Sequence, residues 1–154
     1  MRNALLVAAL AAALPAPLAA PMTAWAGTLS VKDAVVRAVP TGVPNTAAYL
    51  TIVNAGAKPD KLISVSCDCA RSVEIHLSHV MNGMAMMMPS GPVDVPAGGQ
   101  VSLSPGGRHL MVMGLKSPLV DGAVQDMTLK FRDAGAVQVG FTAQVRIVAP
   151  AAGH

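Results

Sequence analysis

The stretch His109-Leu110-Met111-Val112-Met113 puts an imidazole and two thioethers at alternate positions. Earlier in the chain, "RSVEIHLSHVMNGMAMMM", residues 71–88, gathers two histidines and five methionines. Imidazole nitrogen and thioether sulfur together favour soft Cu(I). Zn(II) would prefer thiolates, and Mg(II) or Ca(II) need oxygen ligands. Thioethers also need no deprotonation, which helps in a compartment whose pH follows the outside. The same stripe is equally the face of a core strand carrying a hydrogen-bonded histidine, and residue type alone does not separate the two readings.

Spacing narrows the choice. In a strand His109 and Met111 point one way while Leu110 and Val112 point the other. Asn82-Gly83 is the preferred pair for a two-residue type I′ hairpin. With that turn, Met81 opposes Met84, His79 opposes Met86, Ser78 opposes Met87 and Leu77 opposes Met88. Directly opposed residues share a face, so Met84, Met86 and Met88 join Val73, Ile75 and Leu77 on the expected core side, with packing as their role. Met87 falls on the other face with Ser78 and His76, ~7–8 Å diagonally from His76 and within reach of a long side chain. The candidate metal ligands are therefore His76, Met87, His109 and Met111. His79 lies on the face away from His76 and stays outside the site, and Met113 is assigned to packing or to an outer shell.

These residues need strands to position them, and the chain reads as strands. Val137, Val139, Phe141, Ala143, Val145 and Ile147 alternate with polar residues; so do Met127, Leu129 and Phe131, and Val73, Ile75 and Leu77. Turn signals stand between such runs at Pro40 to Pro44, Asn54 to Pro59, Asn82-Gly83, Pro89 to Pro92, Pro96 to Gly99, Pro105 to Gly107 and Asp133 to Gly135. Seven or eight short strands at this spacing predict an antiparallel sandwich or barrel.

Met1 to Ala26, with one early Arg, an Ala/Leu run and a terminal Ala-Trp-Ala, reads as a secretory signal. Pro15 and Pro17 cut its apolar run short of a spanning helix. Residues 27–154 then form one exported, soluble domain. Eleven Lys and Arg against eight Asp and Glu, with no basic run, give no support to a nucleic-acid or anionic-membrane partner. With Trp25 inside the signal and Tyr49 the one tyrosine, no aromatic platform is expected. No nucleophile elbow, paired-carboxylate motif or phosphate loop is present, so an enzyme is not expected. Cys67-Asp68-Cys69 forms a tight C-x-C ring if oxidised. Alternation puts Ile63, Val65 and Cys67 on one face, which favours a half-buried pair. A disulfide or inert thiols are expected there, with redox or copper exchange as the alternative. A blue-copper site is not expected, because it uses two histidines and a cysteine, both cysteines here precede all four candidates, and no cysteine lies near His109.

His76, ten residues, Met87, twenty-one residues, His109, one residue and Met111 reproduce the pattern H-x10-M-x21-H-x-M, which resembles the periplasmic Cu(A)-type copper chaperones, the PCuAC family. "AAYLTIVN", "VEIH", "VPAGG" and "PGGRHLMVMGLK" also resemble it, and the similarity runs from about Val31 to about Val148. The resemblance implies a single cupredoxin-like Greek-key β-sandwich or barrel in the periplasm that binds Cu(I) through those four side chains. The ion would pass by ligand exchange, usually to the copper centre in subunit II of a haem-copper cytochrome oxidase, often with a Sco-type thiol protein as collaborator. Copper buffering or resistance without a dedicated recipient is the other role it suggests. The sequence departs from the family at His79-Val80-Met81, where a methionine often stands nearer the first histidine. The ending "VAPAAGH" lacks the Met- and His-rich extension of some members, so no second high-affinity site is expected from it. A transient copper-collecting surface is the alternative role for the remaining hairpin methionines, and a structural β-sandwich with a Met-rich core is the reading left if no copper binds.

Overall fold

The computed structural model describes residues 25–145, in which every regular element is a strand. These are β1 (Trp25–Ala26), β2 (Leu29–Arg37), β3 (Asn45–Asn54), β4 (Asp60–Ser66), β5 (Ala70–Met81), β6 (Met84–Pro89), β7 (Val93–Val95), β8 (Gln100–Leu103), β9 (Arg108–Leu115), β10 (Val124–Phe131) and β11 (Gly135–Gln144). Seven of them close on one another in the order β2-β11-β10-β4-β5-β9-β3 and back to β2, while β1, β6, β7 and β8 are added at the flanks of β2, β5, β4 and β3. The result is the all-β, cupredoxin-like barrel the sequence predicts. It is not wholly antiparallel: β11 and β2 run parallel over Val35–Arg37. A bulge in β2, where Asp33 adopts a φ of 55°, shifts the register against β3 just before that stretch. Such a bulge adds local twist to the bulged strand.

Alternation places the core as expected. Val137, Val139, Phe141 and Ala143 of β11, Met127, Leu129 and Phe131 of β10, and Leu110 and Val112 of β9 are all buried. Each large apolar side chain so placed contributes about 1.5–3 kcal/mol. Val145, expected on the same inner face, is instead exposed, because β11 ends at Gln144 and no described strand covers the residue beyond it. Ile147, expected to extend the last strand, lies outside the described residues, as does most of the expected signal. In β4 the expected face is broken. Leu62 and Val65 point inward and Ile63 is exposed, because the pairing with β10 skips Ile63: Phe131 opposes Leu62 and Lys130 opposes Ser64. Cys67 and Cys69 are joined as a disulfide at the β4–β5 corner and rest against the core. The Cys69 carbonyl accepts a hydrogen bond from the Lys116 amide at 2.9 Å, tying the start of β5 to the end of β9.

The β5–β6 hairpin has the expected register, from Met81 opposite Met84 to Leu77 opposite Met88. Asn82 and Gly83 have φ values of 53° and 77°, the two left-handed residues a type I′ turn requires. The packing role expected for Met84, Met86 and Met88 is nevertheless wrong, since these side chains are 65%, 41% and 45% exposed. Face parity is as predicted; what is missing is a second layer. The pairing of β5 with β9 ends at Leu77 opposite Arg108, and beyond it β5 and β6 continue as a two-stranded arm with no sheet over their inner face.

The barrel has one buried carboxylate with a clear structural task. Asp60, at the start of β4, accepts hydrogen bonds from the Lys61, Asp133 and Ala134 amides at 2.6, 3.0 and 3.0 Å, and so fixes the β10–β11 turn to β4. Burial alone would raise its pKa, but the three amides together with nearby Arg132 outweigh it and hold the carboxyl below its ordinary range. A depressed folded pKa stabilises the fold above the unfolded value of about 3.9 and loses that contribution as the pH falls through the folded value. Asp60→Asn should therefore cost about 1.5–3 kcal/mol at neutral pH, typical of bonds to a charged group. The gap to wild type should shrink below about pH 4 in urea unfolding curves; a gap independent of pH would exclude this role.

Candidate metal centre

The four sequence-predicted ligands come from β5, β6 and β9, three neighbouring strands. His76 of β5 and His109 of β9 are Cα partners in the antiparallel ladder, and Glu74 opposes Met111 two positions along. Met87 of β6 faces Ser78 of β5. On the far side of β9, Ala47 of β3 opposes Met111, a small residue beside a long one. The imidazole rings of His76 and His109 lie edge to face with centroids 6.0 Å apart. Met87, His109 and Met111 line one cleft of about 370 Å³, together with Arg37, Tyr49 and Ser78. His76 is not part of that wall; it adjoins the cleft through its partner His109.

Burial grades across the set. His109 is 3% exposed, His76 and Met111 are intermediate, and Met87 is 61% exposed. The two histidines are held by their neighbours in complementary ways. His109 Nδ1 lies 3.2 Å from the Gly107 carbonyl, which can only accept, so Nδ1 donates and Nε2 carries the lone pair. Ser78 Oγ stands 3.5 Å from the same Nδ1. His76 Nε2 lies 3.0 Å from the Glu74 carboxylate, so there the proton sits on Nε2 and Nδ1 is the free base. A metal-binding histidine commonly donates its second nitrogen to a carbonyl or a carboxylate, which fixes the tautomer and orients the ring.

The free bases have nothing to bind within the protein. Among the described residues three buried side-chain nitrogens or oxygens lack a hydrogen-bond partner: His76 Nδ1, His109 Nε2 and His79 Nδ1. A buried polar atom left unpaired is costly, which makes the first two fitting donors for an ion. No three His, Cys, Asp or Glu side chains converge among the described residues, so the two histidines have no third side chain of those types beside them. Met87 and Met111, on the same cleft as His109, offer soft thioether sulfurs, and the set fits a soft monovalent ion.

Two neighbours escaped the reading of the sequence. Glu74 shares a strand face with His76 two residues on, a spacing that could have revealed it. Tyr49, whose ring centroid is 6.4 Å from that of His109, comes from β3 and carried no local signal.

A cupredoxin-like barrel with a histidine- and methionine-lined cleft beside one end of a hairpin is the class this fold and site define. Within it, residues 29–143 match the lipoprotein family described as LpqE-like, and the chain belongs to that family. It is 34% identical over 109 residues to the lipoprotein Lxx21020 of Leifsonia xyli subsp. xyli, covering 70% of this chain and 64% of the relative, so the chain spans just under two thirds of that protein's length. The fold is similar to that of the copper-bound PCuAC domain from PmoF2, with a TM-score of 0.68 and 25% identity over 81% of this chain and all of that one. It is also similar to DR1885 of Deinococcus radiodurans at 34% identity in two solution structures. The apo form gives a TM-score of 0.62 over 95% of this chain and 98% of that one, and the Cu(I) form gives 0.56 over 74% and 76%.

Tyr49 offers a probe of the cleft, because it is the one tyrosine in the sequence. Burial pushes its phenol above the ordinary value, and the Arg37 guanidinium partly opposes that. Ultraviolet titration should therefore show ionisation above about pH 10, and Arg37→Gln should move it higher still. A midpoint at or below the ordinary value, or a downward shift in the variant, would contradict this geometry.

Proposed function

We propose that this protein is an exported copper metallochaperone that binds Cu(I) through His76 Nδ1, His109 Nε2 and the sulfurs of Met87 and Met111. The observation that carries the reading is the pair of lone-pair nitrogens, enclosed and unpartnered, on directly opposed strand positions beside a cleft lined by two methionines. The copper-bound state of the similar PmoF2 domain and the Cu(I) state of DR1885 support the choice of ion. Membership in a lipoprotein family supports export, with Met1 to Ala26 as the secretory signal and the periplasm as destination.

The chemistry suits a carrier rather than an enzyme. Four neutral ligands leave the single charge of Cu(I) uncompensated, and the Glu74 carboxylate, beyond His76, is the near negative charge. Such a site holds the ion against water and yields it to thiolates, which bind Cu(I) as anions. Transfer would proceed by stepwise exchange, and the proposed recipient is the copper centre in subunit II of a haem-copper cytochrome oxidase, reached directly or with a Sco-type protein. Loss of the protein should then impair oxidase assembly when copper is scarce. A need for it only at high copper would point to buffering instead.

Met87→Leu and Met111→Leu keep side-chain volume and remove sulfur. Each should weaken Cu(I) binding at least about tenfold, equivalent to ~1.4 kcal/mol, in an anaerobic competition titration, with little change in thermal stability. Unchanged affinity in both variants would sink the site.

A further inference from the structure

The third unpartnered nitrogen, His79 Nδ1, belongs to no part of the site above. His79 points to the opposite face of β5 from His76. On that face the ladder pairs His79 with Met86, Met81 with Met84, and Leu77 with Met88. One imidazole and four thioethers thus share one side of a two-stranded arm. All four methionines are exposed: Met81 at 51%, with Met84, Met86 and Met88 as given above.

We propose that this uncovered face is a second Cu(I) site, in which His79 and Met86 bind the ion and Met81, Met84 or Met88 completes the shell. Directly opposed side chains stand about 4.5–5.5 Å apart at Cβ, and thioethers on flexible stems close that distance easily. The type I′ turn fixes the register, so the donors are already on one side before an ion arrives. No Asp, Glu, Lys or Arg occurs between Leu77 and Met88, so the face offers a hard cation nothing and repels no monovalent ion. A surface made only for apolar docking would not need an enclosed imidazole nitrogen without a partner. The arm must order at least two exposed methionines, whereas the cleft orders one, Met87, beside the half-buried Met111, so the entropic penalty makes this site the weaker of the two. The inference takes the identity of the ion from the proposed function but shares no ligand with the cleft.

The test is an anaerobic Cu(I) titration of the full chain against chromogenic Cu(I) chelators of graded strength. Wild type should take up one tight and one weaker equivalent. The combined Met84→Leu, Met86→Leu and Met88→Leu variant should lose the weaker equivalent and keep the tight one. His79→Ala should loosen the weaker one at least about tenfold. His109→Ala should do the reverse, losing the tight equivalent alone. Methyl NMR of the methionines in wild type gives a reading free of any folding defect, with Met84 and Met86 shifting in the second half of the titration. A single equivalent in wild type, a second equivalent that survives the triple substitution, or methyl shifts confined to Met87 and Met111 would each overturn the proposal. Failure of the cleft reading would look different: a tight equivalent indifferent to His109→Ala, whatever the arm does.

Discussion

The site depends on one register, that between β5 and β9. Ile75 opposes Leu110 and Val73 opposes Val112 on the inside, and the same ladder sets His76 against His109 and Glu74 against Met111 on the outside. A slip of one residue on either strand would carry imidazoles into the core and expel residues such as Leu110 and Val112, both fully buried, at about 1.5–3 kcal/mol for each. The hydrophobic core therefore holds the two histidines opposite each other. The proposed chemistry needs no dedicated scaffold, because it occupies the reverse side of contacts the barrel makes for its own stability.

The two histidines differ in how firmly they are set. His109 is almost fully buried and answers to a backbone carbonyl, which moves only with the strand. His76 answers to a carboxylate on a flexible side chain that is itself 45% exposed. Met87 is more exposed than either, at the root of an arm that no sheet covers. On the proposed reading these differences order the exchange: an acceptor's sulfur reaches the ion first where Met87 holds it, and His109 lets go last.

What the sequence made legible follows the range of the interactions involved. The Asn82-Gly83 turn acts over two residues, so the hairpin register and the separation of Met87 from its neighbours followed from local rules. The barrel strands and their inner faces followed from alternation. The pairing of β5 with β9 joins segments that have three other strands between them in the chain, so the direct opposition of His76 and His109 could not be read, nor could the contribution of Tyr49 from β3. The methionines of the arm show a different limit. Period two assigns a side chain to a face, but whether anything covers that face depends on how far the neighbouring strand reaches, and β9 begins only at Arg108, opposite Leu77. Ile63 shows a third: one bulge against β10 shifts the phase of a strand, and no composition signal marked it.

Closure of the barrel also decides where unsatisfied backbone remains. Seven strands satisfy one another around the ring, so free strand edges are left to the accessory strands. β1, β7 and β8 are two, three and four residues long, and β7 carries Asp94 in its middle. β6 is six residues long, uncharged, rich in methionine and hydrogen-bonded to β5 alone, with Pro89 at its end as its one conventional guard. Among the described strands its outer row of amides and carbonyls is thus the most open template for an added strand, and an extended polypeptide lying there would find its hydrogen bonds already waiting.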